Sequence, residues 1–417
     1  MGALAAALSI VQAVAMIDNS LLWVALHLLL QAAVILRVLE RPYREPASRI
    51  AWVVVVLAVP VVGIITYLML GETNIGRRNQ KAMHAAIGNH LDRDLVLARS
   101  LEIPPGLPAA YAHLFRVGLS ISGFPPIGGN SARLMPDSQG TIDSMVADID
   151  AAREQVNVLF YIWLTDHSGV RVAEALQRAA RRGVTCRAMV DGLGSRALLR
   201  SPLWRDMGAA GVQTAIALPL GNILLRPLQG RIDLRNHRKI LVIDNAITYC
   251  GSQNCADKEF RVKAKYAPWV DSVVRLEGPI ARQNQLLFGT DWAVYTGEEI
   301  GGARERPVTD KKEGGIVAQV IASGPTLRHS AVPELFVSLI FTARTELVIS
   351  TPYYVPNQAM AGGAVRRGLS RRAHHPDPAR QQRFWRLPRR AAVITGSCCW
   401  RAWISVNTWV GCCTARR

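Results

Sequence analysis

Charge and cysteine are both scarce in this chain of 417 residues. Charged residues make up 19% of the sequence and apolar residues 50%, a balance that excludes an intrinsically disordered chain. Four of the seven cysteines fall within the last twenty residues, so their spacing implies no disulfide framework. The length allows about two or three domains and is ample for a buried core.

Acidic residues are also few, and the resulting positive charge is unevenly distributed. The formal net charge is +18. Residues 361–417 contain twelve Arg, no Lys and a single acidic residue, so much of the excess lies in this segment. The modest positive charge of the remaining chain suits an anionic partner such as a phosphate, a lipid headgroup or a nucleic acid.

Two long apolar runs lie near the N-terminus, at residues 20–36 and 50–70. The second contains no charged residue and is long enough to cross a bilayer, so the sequence predicts a two-helix transmembrane hairpin anchor over residues 1–71. The alternative of a cleaved signal peptide is weaker, because the positively charged n-region is missing and the second run is too long. Basic residues lie both between the runs and after them, so the positive-inside rule assigns no orientation.

Beyond a predicted linker at 72–135, the sequence has the pattern of an α/β fold. An apolar run, a helical segment and a second apolar run follow one another and predict a strand–helix–strand unit with parallel strands. The predicted elements are helix 142–153, strand 156–164, helix 170–182, strand 184–190 and a strand pair at 240–243 and 246–249.

A weak internal repeat relates the segment that begins at Asp148 to the segment that begins at Phe336. Both read as a helix with an Ala-Arg pair followed by a strand rich in aromatics. The repeat predicts a first α/β half at 136–300, a linker at 301–331 and a second half that starts at 332–360.

The strongest chemical signal is an H-x-K-x4-D motif formed by His237, Lys239 and Asp244. A G-S-x-N turn with Ser252 and Asn254 follows, and then a W-V-D segment that contains Asp271. Together with FYIW before the motif and STPYYVPN after it, these stretches resemble the bacterial cardiolipin synthases of the phospholipase D superfamily. The resemblance runs in the expected order over roughly residues 20–360.

The motif residues suit phosphodiester chemistry. On a strand, His237 and Lys239 would point to the same face, where the imidazole can attack phosphorus and the ammonium can neutralise the non-bridging oxygens. Asn254 and Ser252 can donate hydrogen bonds to the same oxygens.

The resemblance adds three expectations to this reading. It implies that Asp271 orients the imidazole, that Asp244 belongs to the catalytic motif while tying the local loop and the lysine, and that the fold is a phospholipase D-like sandwich, a mixed sheet flanked by helices. Neither a metal nor another cofactor is expected.

The family uses two such motifs, one in each half, and this chain contains one. The repeat would put the second motif beyond the last residue. The composition also changes sharply after about Met360. We therefore expect residues 361–417 to be an out-of-frame translation or a disordered Arg-rich tail, with a native Arg-rich tail as the alternative.

Three functions remain open from the sequence. The first is cardiolipin synthesis from two phosphatidylglycerol molecules through a phosphohistidine, by a multi-pass protein of the bacterial inner membrane. That reading implies phosphatidylglycerol, other anionic phospholipids and the bilayer as partners, and no nucleic acid. Because the second motif is missing, we expect this chain to be impaired in synthesis unless a homodimer brings two His237 sites together. The second is another phosphodiesterase or nuclease of the superfamily, and the third is a non-catalytic membrane-anchored fragment.

Overall fold

The computed structural model describes most of the chain up to residue 343. The described residues are 2–41, 45–72, 81–83, 85, 107–220, 231, 233–260, 270–300, 315–324, 330–343, 359–360 and 409–412, with backbone alone for 2–20 and 409–412. They divide into two compact units, one comprising Met1–Gly76 with Asn222–Leu234 and the other comprising the rest of the chain.

In its described residues, the N-terminal unit contains three α-helices. Helix α1 spans Gly2–Glu40, α2 spans Pro46–Ala58 and α3 spans Pro60–Thr66, and a π-helical turn at Tyr67–Gly71 continues α3. The sequence predicts one helix over residues 50–70, and the structure instead has a break at Val59. The cause is Pro60, which lacks an N–H and restricts the residue before it, so that Val59 adopts φ −135° and ψ 76°.

In the described part of the chain, one segment, Leu21–Glu40, is long and apolar enough to cross a membrane as a single helix. Val34 and Val38 of α1 pack with Val56, Ile64 and Tyr67 of the second apolar run. A helical anchor unit is therefore present. No second helix of that length is found among the residues that the structure describes, and the two-span hairpin stays a prediction.

The second unit contains a nine-stranded mixed sheet with the order β4-β3-β2-β5-β6-β7-β1-β8-β9. Strands β2, β3 and β4 run parallel, and the other neighbouring pairs are antiparallel. The strands are β1 (Ile127–Leu134), β2 (Gln155–Phe160), β3 (Thr185–Asp191), β4 (Gln213–Ala217), β5 (Ile240–Ile243), β6 (Ile247–Gly251), β7 (Val273–Glu277), β8 (Ile316–Ile321) and β9 (Trp409–Cys412).

Helices cover both faces of this sheet. One core cluster joins Ile142, Met145 and Leu176 to the strands, and a second joins Phe288 and Trp292 to the opposite face. The helices are α4 (Ala112–Ser122), α5 (Ser138–Ala151), α6 (His167–Arg181), α7 (Arg196–Leu199), α8 (Pro202–Ala209), α9 (Ala281–Thr296) and α10 (Ala331–Thr342), with a 3-10 turn at Ala109–Tyr111. The predicted mixed sheet flanked by helices is confirmed.

The predicted β–α–β unit is present with small shifts of its ends. Strand β2 is buried from Val156 onward, as expected of a strand covered on both faces. Helix α6 begins three residues earlier than predicted because the Asp166 carboxylate accepts a hydrogen bond from the Gly169 N–H, 3.0 Å away, and so caps the first turn.

Two predicted linkers contain sheet strands instead. Strand β1 lies in the predicted linker 72–135 and pairs with β7 and β8, and β8 lies in the predicted linker 301–331. The sequence of β1, IGGNSARL, has few apolar residues, so its hydrophobic pattern gives no strand signal. The predicted strand of the second half, near residues 347–354, lies outside the described residues, and so does the tail apart from β9.

Candidate active site

The site is built at one edge of the sheet. Ile240, the first residue of β5, pairs with Leu159 of the antiparallel strand β2, so the segment before β5 runs beside the segment after β2. Gly251, the last residue of β6, pairs with Val273, the first residue of β7. The ends of β2, β3 and β6 therefore meet the beginnings of β5 and β7, which brings the predicted site residues to one edge.

His237 lies at this edge, in the extended segment that precedes β5. Its imidazole stacks on the Tyr161 ring, with ring centroids 3.8 Å apart and an interplanar angle of 19°, while the residue remains exposed to solvent. Partial desolvation and the positive charges of Lys239 and Arg235 lower the pKa of His237 to about 4, against the opposing charge of Asp191. The ring is therefore neutral at pH 7, as a nucleophile requires.

Lys239 is the buried cation of the site. It is 4% exposed, its Nζ donates to the His237 carbonyl oxygen at 2.7 Å, and its ammonium lies 5.5 Å from the Tyr161 ring centroid. Burial lowers the pKa of Lys239 to about 8, and the charge of Asp271 partly opposes this shift. The ammonium is a positive charge in a poorly hydrated place beside the imidazole, where an anionic phosphate would be stabilised.

Ser252 and Asp271 form a pair at the adjoining strand ends. The Ser252 hydroxyl donates to the Asp271 carboxylate at 2.7 Å and accepts from the Ser272 N–H at 3.0 Å. Burial raises the pKa of Asp271, while the Ser252 hydrogen bond and the Lys239 charge act to lower it. In the described residues no hydrogen bond joins Asp271 to His237, and the charge of Asp271 acts on Lys239.

Gly251 allows the close approach of these two strand ends. A Cβ at this position would lie 2.2 Å from the Ser272 carbonyl oxygen, so a larger residue would force β6 and β7 apart. Asn254, three residues on, accepts a hydrogen bond from the Ile162 N–H through Oδ1 at 3.1 Å. This bond fixes the amide at the same edge as His237.

Asp244 is not brought to this site. It lies in the turn after β5, at the opposite end of that strand, with φ 50°. Its carboxylate accepts hydrogen bonds from the N–H groups of Arg153, Glu154 and Gln155 at 2.8 to 2.9 Å. The expected tie to the local loop is present, and the Asp271 charge rather than Asp244 acts on Lys239.

Two buried carboxylates that the sequence reading missed hold the segment that carries His237. Asp191, at the end of β3, bonds Arg235 Nε at 3.0 Å, with the two side chains 0% and 2% exposed. Asp291 of α9 pairs with Arg238 Nη1 at 2.6 Å and accepts from Asn236 Nδ2 at 3.0 Å. The position of Asp191 at the carboxyl end of a parallel strand was the available signal.

Comparisons with known proteins agree with this architecture. Residues 145–292 match the family model described as cardiolipin synthase, PLD-like domain, and residues 21–72 match the phospholipase D-nuclease N-terminal model. Cardiolipin synthase A of Edwardsiella ictaluri is 36% identical over 345 residues, which cover 80% of this chain and 70% of the relative. Its counterpart from Erwinia tasmaniensis is 36% identical over 335 residues, covering 79% and 68%.

The chain belongs to the cardiolipin synthases of the phospholipase D superfamily. It is accordingly a membrane-associated enzyme of the phosphatidyltransferase class. Among solved structures, the phospholipase D family member Nuc from Salmonella typhimurium is 19% identical, with a TM-score of 0.30, and matches 42% of this chain and 99% of its own.

Proposed function

We propose that this cardiolipin synthase transfers a phosphatidyl group between two phosphatidylglycerol molecules through His237, in the inner membrane of a bacterial cell. The proposal is supported above all by one arrangement: a neutral imidazole, accessible to solvent, beside the buried ammonium of Lys239. Phosphatidylglycerol and other anionic phospholipids suit that positive charge, and both substrates lie in the bilayer to which the N-terminal unit is suited.

The reaction proceeds in two displacements at phosphorus. A ring nitrogen of His237 attacks the phosphorus of the first phosphatidylglycerol, the bond to the headgroup glycerol breaks, and the glycerol leaves with a proton from a general acid. The headgroup hydroxyl of the second phosphatidylglycerol then attacks the phosphohistidine and gives its proton back to the group that acted as general acid, the bond between phosphorus and His237 breaks, and cardiolipin forms.

The polar groups at the sheet edge have distinct roles in this proposal. Lys239 neutralises the non-bridging oxygens, and the amide nitrogen of Asn254 donates to them because Oδ1 is already held by Ile162. Ser252 and Asp271 act through Lys239: the hydroxyl is hydrogen-bonded to the carboxylate, and the charge of the carboxylate favours the protonated form of the lysine. Tyr161 fixes the ring plane of His237.

In this proposal, the general acid does not come from the group of residues around His237 and Lys239. His237 cannot serve as nucleophile and proton donor in the same displacement, and the chain has one H-x-K-x4-D motif. We propose that a second copy of the chain brings its own His237 to complete the site, where the negative charge of the bound phosphate raises the pKa of that second imidazole and lets it hold the proton.

Phosphatidylglycerol labelled with ³²P at its phosphate tests the nucleophile. The full chain, reconstituted in vesicles and quenched in alkali, should carry acid-labile label, and His237→Ala should carry none. His113→Ala is the matched control, because His113 is exposed on α4 and bonds Thr342 away from the strand edge, so it should retain the label. Equal labelling of His237→Ala and the control would contradict the proposal.

The same incubation separates the competing reactions. Cardiolipin as the labelled lipid product indicates transfer, phosphatidic acid indicates hydrolysis by a phosphodiesterase, and no product together with no labelled protein indicates a non-catalytic chain.

A further inference from the structure

The second apolar run folds back on itself instead of continuing as one helix. A Cβ on Gly63 would lie 2.5 Å from the Val55 carbonyl oxygen, and the rings of Trp52 and Tyr67 are 5.4 Å apart between centroids. In a continuous helix, Val55 and Gly63 are eight positions apart and would be separated by about 12 Å along the axis. The chain therefore reverses at Val59, and α3 returns along α2.

Both arms of this hairpin are too short to cross a bilayer. Helix α2 has 13 residues, or about 20 Å, and Pro60–Gly71 is shorter still, whereas the hydrocarbon core is about 30 Å thick. The outer surfaces of both arms are apolar and exposed, including residues at the reversal. They are Ile50, Val54, Leu57, Val59, Val61, Val62, Ile65 and Leu68. Surfaces of this kind fit lipid acyl chains.

A polar contact between α1 and the tip of the hairpin explains how the reversal is tolerated in lipid. Because Pro60 has no N–H, the Val56 carbonyl oxygen loses its partner in a helix. Gln31 of α1 replaces it: Nε2 donates to this oxygen at 2.9 Å, and Gln31 is 8% exposed. An unsatisfied carbonyl in hydrocarbon is strongly destabilising because no water can bond it. The bond therefore stabilises a tip placed at the depth of Gln31, halfway along Leu21–Glu40.

The opposite end of the unit collects the charges. Glu72, which follows the second arm, bonds Arg37 Nη2 at 2.9 Å and Arg41 Nη2 at 2.6 Å, and Arg49 Nη2 at the start of α2 donates to the Arg41 carbonyl oxygen at 2.9 Å. The entry and exit of the hairpin and the C-terminal end of α1 therefore lie together.

We propose that the chain crosses the bilayer once, through α1, and that residues 46–71 form a re-entrant helical hairpin that enters and leaves one leaflet on the side of Arg37. Residues 73–106 contain no long uncharged apolar run, so the phospholipase D-like part lies on that same side. This differs from the two-span anchor expected from the sequence, which would put the C-terminal end of α1 and the catalytic part on opposite sides.

This topology also decides the orientation in the membrane. In the two-span reading, basic residues lie on both sides of the bilayer and the positive-inside rule assigns no direction. The basic residues on both flanks of the second run now lie on one side, and residues 1–20 contain neither Lys nor Arg. By the positive-inside rule, this side faces the cytoplasm. The basic residues are Arg37, Arg41, Arg44, Arg49, Arg77, Arg78 and Lys81.

Single-cysteine labelling in bacterial membranes tests the topology without any need for activity. In the full chain, the four tail cysteines are replaced by Ser, and Cys186, Cys250 and Cys255 are left in place because they are buried. Cysteine is introduced one position at a time at Asn19, at Glu45 in the α1–α2 connection or at Glu174 on the exposed surface of α6. A membrane-impermeant maleimide is applied to intact spheroplasts and to inverted vesicles.

The proposal expects Glu45→Cys and Glu174→Cys to be labelled in inverted vesicles alone, and Asn19→Cys in spheroplasts alone. Labelling of positions 45 and 174 from opposite sides would overturn the re-entrant hairpin in favour of two spans. Labelling of both positions in spheroplasts would overturn the cytoplasmic assignment. The unsubstituted background gives the residual labelling to subtract.

Discussion

At the scale of single residues, the proposed mechanism makes the pH range of the reaction depend on the protonation states of His237 and Lys239. Attack on phosphorus needs the neutral imidazole, which predominates above a pKa of about 4, and the phosphate clamp needs the charged ammonium, which predominates below a pKa of about 8. The rate of phosphohistidine formation should therefore rise as the pH increases through about 4, stay level, and fall as the pH increases through about 8.

Initial rates of protein labelling between pH 3.5 and about 9.5 measure this profile. Lys239→Arg serves as the matched variant, because a guanidinium stays charged across the whole range. Its rate should be lower, since a planar fork replaces a point charge, but its alkaline limb should disappear. An alkaline limb unchanged in Lys239→Arg would assign the titration to another group.

Asp244 shows how a motif residue can serve the fold. Its carboxylate accepts three N–H groups at the start of β2, so we expect Asp244→Asn to lower the free energy of unfolding by about 1 to 2 kcal/mol. Asn tolerates the positive φ at this position, which limits the change to the hydrogen bonds. Urea unfolding followed by tryptophan fluorescence measures the loss of stability.

The rate of protein labelling by Asp244→Asn, measured in the folded range, separates a structural role from a catalytic one. It should stay within about threefold of the parent, because the residue lies at the far end of β5 from His237. A loss of a hundredfold or more without a change in stability would restore Asp244 to the catalytic group.

At the scale of the structural elements, two buried ion pairs hold the segment between Arg235 and Lys239. Asp191→Asn would leave the Arg235 guanidinium buried without its counter-charge, and breaking such a pair costs about 3 to 5 kcal/mol. Asp150→Asn is the matched control, since the Asp150–Arg178 pair is largely exposed and such pairs contribute about 0 to 1 kcal/mol. Urea unfolding should give a clearly lower midpoint for Asp191→Asn than for Asp150→Asn. Equal midpoints would contradict the stabilising role of the buried Asp191–Arg235 pair.

The elements also show what the sequence can predict. Strands β2 and β3 and helix α6 were predictable because apolar runs and helical periodicity persist over their length. Strands β1 and β8 were missed because partners far along the chain, β7 on one side of β1 and β8 on the other, stabilise them rather than local pattern. The break at Pro60 had a local signal, but the reversal of the chain depends on Gly63 packing against Val55.

In the candidate site too, some features could be predicted from local sequence and others depend on distant parts of the chain. His237, Lys239, Ser252 and Asn254 were predictable because the motif spacing is specific and the strand ends bring them to one edge. Two interactions were not predictable: the charge of Asp271 acts on Lys239, and the Tyr161 ring stacks on His237. Both depend on which strands become neighbours, and the pairing of β2 with β5 joins segments about eighty residues apart.

At the scale of the whole molecule, the proposed pairing of two copies makes activity depend on association. In that proposal, one copy supplies the nucleophile and the ammonium that binds the phosphate, and the His237 of a second copy supplies the proton for the leaving glycerol. We therefore expect cardiolipin synthesis per chain to rise with the density of the chain in vesicles at fixed phosphatidylglycerol, and to approach a plateau once most copies are paired.

Mixing with an inactive copy tests the same arrangement more sharply. A pair that contains one His237→Ala chain lacks either the nucleophile or the general acid, so an excess of this variant should reduce the activity of the parent chain severalfold. The same excess of His113→Ala, which keeps both groups, should not reduce it. Synthesis per chain that is constant over a hundredfold range of density, and unaffected by His237→Ala, would mean that one copy completes the reaction alone and that the proton donor lies elsewhere in the chain.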